Sequence, residues 1–292
     1  MGVGSVLDGF IVYIKALVLA AVEGITEFLP ISSTGHLILV ERGLQLTDDP
    51  TFNMAFIVII QLPAILSVVI YFWKDLSPFV PEADDRRQKL TLWVKILVAF
   101  IPAVLLGPLV NDFLEVHLLA PVPVSIALLV GGIILIMIES QPREPTVSSV
   151  AEITFKTALI IGLFQCLAML PGTSRSAATI IGAMLLGTSR PVAAKFSFFL
   201  AIPTMLGATV FTLVKNGLDF TAQEWTILTV GSVASFIVAY AVIAVFMGYI
   251  RRGSFAVFGY YRIALAAIVL TFYFLHWLNG DSPPQGAGPG LP

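Results

Sequence analysis

Two carboxylates, Glu23 and Glu27, stand four residues apart in a run of apolar residues. On a helix this spacing places both side chains on one face. A carboxylate in hydrocarbon costs at least about 2.5 kcal/mol, so we expect this face to line a polar cavity. There the pair could share a proton, bind a cation or pair with a basic side chain. The structural alternative is that both accept hydrogen bonds from loop N–H groups.

The loop that follows these carboxylates contains the parts of an activated nucleophile. After Pro30 it reads Ile-Ser-Ser-Thr-Gly and ends at His36. A hydroxyl near a histidine and a carboxylate is the minimum set for an activated oxygen nucleophile, so Ser33 and His36 are catalytic candidates. Ser32 and Thr34 are candidate substrate ligands, because the start of the next helix favours an anion. Capping of that helix, and a packed or interfacial His36, are the structural alternatives.

A second polar segment, residues 165–176, ends in Pro-Gly-Thr-Ser-Arg-Ser and contains Arg175. A buried arginine needs an anionic partner, and its planar fork fits a phosphate through two hydrogen bonds. Glu23 or Glu27 could instead be its permanent partner, which would make the ion pair structural. The other candidate substrate ligands here are Gln165, Gly172, Thr173, Ser174 and Ser176. Gln165 could equally make a simple interhelical hydrogen bond.

The amino-acid composition indicates the environment in which these polar and charged residues lie. Of 292 residues, 58% are hydrophobic and only 12% are charged, against about 25% charged in soluble domains. This composition predicts an integral membrane protein. A net charge of −2 argues against a nucleic-acid partner. One cysteine excludes an intramolecular disulfide framework, and three distant histidines make a histidine-based zinc site improbable.

The apolar runs predict an all-α, polytopic membrane protein with six full transmembrane helices. A full span takes about 20 residues, and the six spans are residues 52–73, 91–110, 121–139, 196–214, 225–248 and 255–277. Four other apolar segments are too short or too interrupted, namely residues 10–22, 36–46, 154–170 and 176–187. The first is interrupted by Glu23 and Glu27, and each pair of segments flanks one polar loop. Helix, polar loop, short helix is the pattern of a re-entrant hairpin, whose irregular backbone must be covered by protein or water.

The two hairpins belong to an internal repeat. At a shift of 140 or 141 residues Pro30 and Ser33 fall on Pro171 and Ser174. We therefore predict a single membrane domain over residues 1–292, with repeat one at about 10–139 and repeat two at about 154–277. Three full spans separate the hairpins, so the second hairpin enters from the opposite face. Such an inverted-topology repeat commonly builds a site at the bilayer midplane.

Basic residues predict the orientation. Ten of the sixteen lysines and arginines fall in segments on one side of the predicted topology, which should be cytoplasmic. Both termini then face outside, and the Pro- and Gly-rich tail at residues 281–292 should be disordered.

The two polar segments together resemble the signatures of the bacterial undecaprenyl-pyrophosphate phosphatase family of the bacitracin-resistance type. The first signature runs from Glu23 to His36, and the second is Pro-Gly-Thr-Ser-Arg-Ser, ending at Ser176. The resemblance covers nearly the whole chain in hairpin order and span number. It implies an enzyme that removes the terminal phosphate of undecaprenyl pyrophosphate at the outer face of the bacterial cytoplasmic membrane, which recycles the cell-wall lipid carrier.

The resemblance also implies roles for individual residues. Glu23 and Glu27 match the family's acidic pair, and Ser33 and His36 match its catalytic loop. Arg175, with the serines on either side of it, matches the pyrophosphate-binding loop. Family members need a divalent cation, Mg²⁺ or Ca²⁺, and the acidic pair is then its candidate ligand.

The sequence is compatible with several alternatives. Ser33 could attack phosphorus with Glu27 or His36 taking its proton, or His36 could itself be the nucleophile. A transporter or flippase for a polyprenyl phosphate is the rival function, because inverted repeats and broken helices are transporter features. The oligomeric state is not fixed, which leaves a homodimer open. Arg262, inside the last span, has no predicted role beyond packing against a polar neighbour.

Overall fold

The computed structural model describes residues 3–40, 44–141, 144–216 and 219–278, and within them the chain is helical with no β-strand. The predicted disordered tail, residues 281–292, lies outside the described residues. The helices are α1 Val3–Thr26, α2 Ser33–Val40, α3 Pro50–Ile59, α4 Gln61–Tyr71, α5 Trp73–Leu76, α6 Ala83–Leu118, α7 Pro121–Ser140, α8 Phe155–Cys166, α9 Arg175–Leu185, α10 Arg190–Asn216, α11 Ala222–Ile250 and α12 Ala256–Leu278.

Seven stretches in the described residues are long and apolar enough to cross a membrane, by length and composition. Six of them overlap the predicted spans, which confirms an all-α polytopic membrane protein. The seventh, Gly9–Thr26 in α1, differs from the prediction that Glu23 interrupts this segment. The helix continues through Glu23 because this side chain is fully buried against other parts of the protein and does not face lipid.

Helix α1 runs parallel to α11 and ends beside its middle. Ala16 in the second half of α1 and Ile227 near the start of α11 belong to one apolar cluster. Further along, Gly24 packs so closely that an added Cβ would lie 3.1 Å from the Ser235 carbonyl oxygen. Helix α11 continues for 15 residues beyond Ser235 to Ile250, or roughly 22 Å at 1.5 Å per residue. The loop after α1 therefore lies level with the central part of α11.

Helix α8 has the same relation to α6. Gly162 packs directly on the backbone of Ala99, and the Met169 side chain reaches Gly107. Helix α6 continues beyond Gly107 to Leu118, so the loop after α8 also lies level with the central part of a long helix. Helices α1 and α8 thus each pack on a long helix of the other predicted repeat, while α7 and α12 pack extensively on each other.

Matching backbone turns precede α2 and α9. Ser32 has φ 73° and Ser174 has φ 72°, and within the described residues no other residue except glycine has a positive φ. Each side chain caps its helix, Ser32 Oγ accepting from the Gly35 N–H and Ser174 Oγ from the Ala177 N–H, both at 3.3 Å. The backbone therefore pairs Ser32 with Ser174, one residue from the register in which sequence alone aligned them. Such φ values cost about 1–3 kcal/mol each and cluster at functional sites.

Candidate active site

The two polar loops meet at the Glu27 carboxylate. Ser33, the first residue of α2, donates a hydrogen bond from Oγ to Glu27 Oε2 at 3.1 Å. Arg175, the first residue of α9, donates from Nη2 to Glu27 Oε1 at 3.2 Å. The side chains of Arg175 and Glu27 are only 10% and 11% exposed. An acid and a hydroxyl from one loop and a guanidinium from the other therefore form one nearly buried cluster.

The Arg175 guanidinium has further contacts besides the one to Glu27. Its Nη1 donates to the Ser197 carbonyl oxygen at 3.0 Å, and Nη2 lies 3.7 Å from Met205 Sδ. Its Nε is buried and has no hydrogen-bond partner among the described residues. A buried donor without a partner costs about 1–3 kcal/mol, so an anion that reached this nitrogen would relieve the cost.

Glu23 lies fully buried in α1, one helical turn before Glu27. Neither of its carboxylate oxygens makes a short hydrogen bond among the described residues, and the Gln61 side chain is only a weakly interacting polar neighbour. Carboxylate oxygens are the ligands that Mg²⁺ and Ca²⁺ prefer, so these orphaned oxygens fit a divalent cation. The described residues contain no cluster of three or more His, Cys, Asp or Glu side chains that could hold a metal. Phosphate oxygens and water would have to complete the coordination shell.

His36 is held by two hydrogen bonds, neither of which involves Ser33. Its Nδ1 lies 2.7 Å from the Ser32 carbonyl oxygen, and its Nε2 lies 2.7 Å from the Tyr261 hydroxyl. The His36 and Tyr261 rings also stack, with centroids 5.6 Å apart. Because a carbonyl oxygen can only accept, Nδ1 carries the proton, and in the neutral ring Nε2 accepts from Tyr261. The group that contacts the Ser33 hydroxyl is therefore Glu27 and not His36.

The hydroxyls of the second loop have two roles: Ser176 contacts the first loop, and Ser174 caps α9. Ser176 is fully buried and donates to the Leu29 carbonyl oxygen at 2.8 Å, which ties the second loop to the first. Its Oγ also lies 3.0 Å from the capping Ser174 Oγ. Thr173 is half-buried, and its N–H donates to the Leu170 carbonyl oxygen within the loop.

The remaining predicted ligands lie around this cluster. Gln165 is buried and accepts a hydrogen bond from Thr204 on α10 at 3.3 Å, the interhelical alternative considered above, while its Nε2 has no partner among the described residues. Gly172 is buried with φ +90°, a conformation that suits glycine. Thr34 is half-buried in the first turn of α2.

Four further residues of the site escaped prediction: Ser197, Met205, Tyr261 and Arg262. Ser197 acts through its carbonyl oxygen and Met205 through its sulfur, and neither contact has a sequence signal. Arg262 carried a signal, because an ionisable residue inside a span is functional by default. It hydrogen-bonds to the backbone of both loops.

Comparisons with known proteins find relatives along most of the chain. A family model described as "Bacitracin resistance protein BacA" matches residues 16–268. The chain is 53% identical over 266 residues to an undecaprenyl-diphosphatase of Fusobacterium nucleatum, covering 88% of this chain and 99% of that protein. It is 51% identical to undecaprenyl-diphosphatase 1 of Clostridioides difficile, with 89% and 96% covered, and 47% identical to an Enterococcus faecalis undecaprenyl-diphosphatase, with 89% and 97% covered.

Proposed function

The chain belongs to the bacitracin resistance protein BacA family, and we propose that it hydrolyses undecaprenyl pyrophosphate to undecaprenyl phosphate and inorganic phosphate. It is a multi-pass membrane enzyme, a phosphatase that recycles the lipid carrier of cell-wall synthesis. One observation carries the chemical assignment. Glu27 contacts both Ser33, a nucleophile candidate, and Arg175, a phosphate-binding candidate from the other loop.

In the first step Ser33 Oγ attacks the terminal phosphorus and Glu27 Oε2 takes the hydroxyl proton. The new bond joins Ser33 Oγ to phosphorus, the bridging P–O bond breaks, and undecaprenyl phosphate leaves. Arg175 turns from Glu27 towards the phosphoryl oxygens, to which its unpartnered Nε also donates. Electrostatic stabilisation of these oxygens is the main contribution in such transfers. Water then attacks the phosphorus of the phosphoserine and the bond from Ser33 Oγ to phosphorus breaks. Glu27 returns its proton to Oγ, and both protons of the water leave on the inorganic phosphate.

His36 serves this reaction as a positioned neighbour rather than as the nucleophile. For His36 to attack phosphorus through Nε2, it would have to give up the 2.7 Å hydrogen bond to Tyr261. Its Nδ1 bond to the Ser32 carbonyl oxygen supports the turn that places Ser33. Trapping of labelled phospho-enzyme decides between the two. Label should be absent from Ser33→Ala and present in His36→Ala, and the opposite pattern would make His36 the nucleophile.

A divalent cation, Mg²⁺ or Ca²⁺, would be held by Glu23 together with the substrate phosphates. The two unpartnered oxygens of this buried carboxylate support the assignment. When bound, the cation neutralises charge on the pyrophosphate. Glu27 is the second candidate ligand, although Ser33 and Arg175 already occupy both of its oxygens.

We place the enzyme in the bacterial cytoplasmic membrane with both loops as re-entrant hairpins and the site open to the outer face. Helices α1 and α8 end beside the central parts of α11 and α6, which supports loops that turn back at membrane depth. Both termini then lie outside. One chain supplies every residue of the cluster around Glu27, so a homodimer is not required to complete the site.

Phosphate release tests the proposal against a lipid flippase, the rival that the two interlocked repeats suggest. Detergent-solubilised protein has no membrane sides, so a pure transporter releases no phosphate there. We expect purified protein to release inorganic phosphate from undecaprenyl pyrophosphate and to lose this activity with a chelator. Absence of release under conditions in which the protein is folded would contradict the proposal.

A further inference from the structure

Arg262 is the largest fully buried side chain in the described part of the protein. It lies in α12, directly after Tyr261. No carboxylate among the described residues forms an ion pair with it, and its hydrogen bonds go to backbone carbonyl oxygens alone. A cation without an ion-pair partner is costly inside a membrane protein. We therefore expect the hydrogen bonds of Arg262 to have a functional role.

The Arg262 guanidinium joins the two loops to each other. Its Nη1 donates to the Pro30 carbonyl oxygen at 3.4 Å, and its Nη2 donates to the Gly172 carbonyl oxygen at 3.2 Å. Pro30 stands three residues before Ser33, and Gly172 stands three residues before Arg175. The two carbonyls thus occupy corresponding places in the two loops that meet at Glu27.

The same guanidinium is anchored on α7. Its Nη2 donates to the Ala127 carbonyl oxygen at 3.1 Å and its Nε to that of Leu128 at 3.3 Å. Gly131 leaves the space for it, since a Cβ there would lie 2.5 Å from Nη2. Gly132 lets α7 and α12 approach closely, since its Cβ would lie 2.7 Å from the Gly259 carbonyl oxygen. The slot around the guanidinium is therefore built from backbone and glycine.

We propose that Arg262 is a positioning residue that fixes the two loops at the separation and orientation in which Ser33 and Arg175 act on one pyrophosphate. The inference rests on the proposed phosphatase activity. A guanidinium presents five donors in one rigid plane, so it fixes the relative positions of the carbonyls that it binds. Both loops contain strained turns, at Ser32 and Ser174, which need surrounding contacts to hold them.

Loss of this tie lowers turnover more than substrate binding. Small misplacements of reacting groups, of about 1 Å, can cost about 100-fold in rate. The lipid tail and the Arg175 side chain still bind substrate when the loops shift. We therefore expect Arg262→Gln to lower kcat by about 100-fold, with KM changed by less than about threefold because ground-state contacts remain.

The decisive measurement is kcat and KM for phosphate release from undecaprenyl pyrophosphate, with the purified full chain in detergent. Activity is expressed per folded molecule, with folding followed by size-exclusion profile and melting temperature. Arg262→Lys keeps the charge and some donors but lacks the planar fork, so its kcat should lie between those of Arg262→Gln and the wild type. Gly131→Ala retains Arg262 but displaces its guanidinium, so it should also lower kcat at constant KM.

Gly248→Ala is the matched control, because a Cβ there meets no atom within 4 Å. It should keep the wild-type kcat. If Arg262→Gln and Gly131→Ala both keep kcat within about threefold of an active wild type, the inference is wrong. It is also wrong if the lower kcat of Arg262→Gln disappears once activity is expressed per folded molecule. It is wrong as well if Arg262→Lys loses as much kcat as Arg262→Gln while KM rises in parallel. A wild type that releases no phosphate would instead refute the proposed function.

Discussion

Neutralising Glu27 perturbs both loops at once. Glu27→Gln keeps the size of the side chain, but its amide cannot take the Ser33 proton and cannot neutralise Arg175. A general base contributes typically 10²–10⁴-fold, so we expect kcat to fall about 10³-fold. The change also leaves Arg175, whose side chain is 10% exposed, without its anion. Loss of one partner of a buried ion pair costs about 3–5 kcal/mol, so the melting temperature should fall as well.

The 3.1 Å contact between Ser33 and Glu27 predicts that substitutions of these two residues have non-additive effects on kcat. Residues that act as one catalytic unit have strongly non-additive effects. The double variant Glu27→Gln, Ser33→Ala should therefore have a kcat within about threefold of Ser33→Ala alone. If the two residues acted independently, their losses would multiply. Glu224→Gln is a matched control, because this carboxylate caps α11 through Thr221 and should leave kcat unchanged.

The assay is phosphate release from undecaprenyl pyrophosphate in detergent, combined with thermal melting in the presence and absence of inorganic phosphate. Because Arg175 in Glu27→Gln has lost its ion-pair partner, phosphate should raise the melting temperature of this variant more than that of the wild type. Two results would refute the reasoning. One is a Glu27→Gln variant that keeps more than about a tenth of the wild-type kcat, and the other is a double variant whose loss equals the product of the single losses.

Three other substitutions follow from the same geometry. Glu23→Gln should raise the Mg²⁺ or Ca²⁺ concentration for half-maximal activity about tenfold or more after chelation, and an unchanged titration would remove Glu23 as a ligand. Tyr261→Phe deletes the donor to His36 Nε2 and should lower kcat about fivefold, equivalent to about 1 kcal/mol. A kcat equal to that of the wild type would show that this hydrogen bond does not contribute to turnover. Gly172→Ala forces a side chain to φ +90° and should destabilise the fold by about 1–2 kcal/mol or more, measured by melting against Gly248→Ala, which should be neutral.

Much of this fold could be predicted because a segment that crosses lipid must be predominantly apolar along its length, so the local sequence alone identifies it. Apolar runs of about 20 residues identify spans, and six of the seven stretches overlap the predicted ones. The exception, α1, depends on distant structure. Glu23 does not end the helix, because the packing around it, including that of α11 against Gly24, buries it, and no local pattern shows this packing.

The candidate site divides in the same way. Glu27, Ser33 and Arg175 could be selected because a polar or charged side chain in an apolar context is functional by default. The structure brings Ser33 and Arg175 into contact with Glu27. The partner of His36 could not be foreseen, since Tyr261 lies 225 residues away. The contacts of Arg262 could not be foreseen either, because they involve backbone carbonyls, which every residue possesses.

Helix α1 of repeat one packs on α11 of repeat two, and this packing has a consequence for biosynthesis. Helix α1 leaves the ribosome almost 200 residues before α11, its main packing partner, begins at Ala222. At about 5–20 residues per second this gap lasts roughly 10–40 s. During that time the carboxylate of Glu23 has no native burial, and chaperones or the insertion machinery must shield it. Neither half can mature alone, so a chain arrested before α11 should be a substrate for membrane proteolysis, whereas two halves produced separately in one cell should recover activity by assembling with each other.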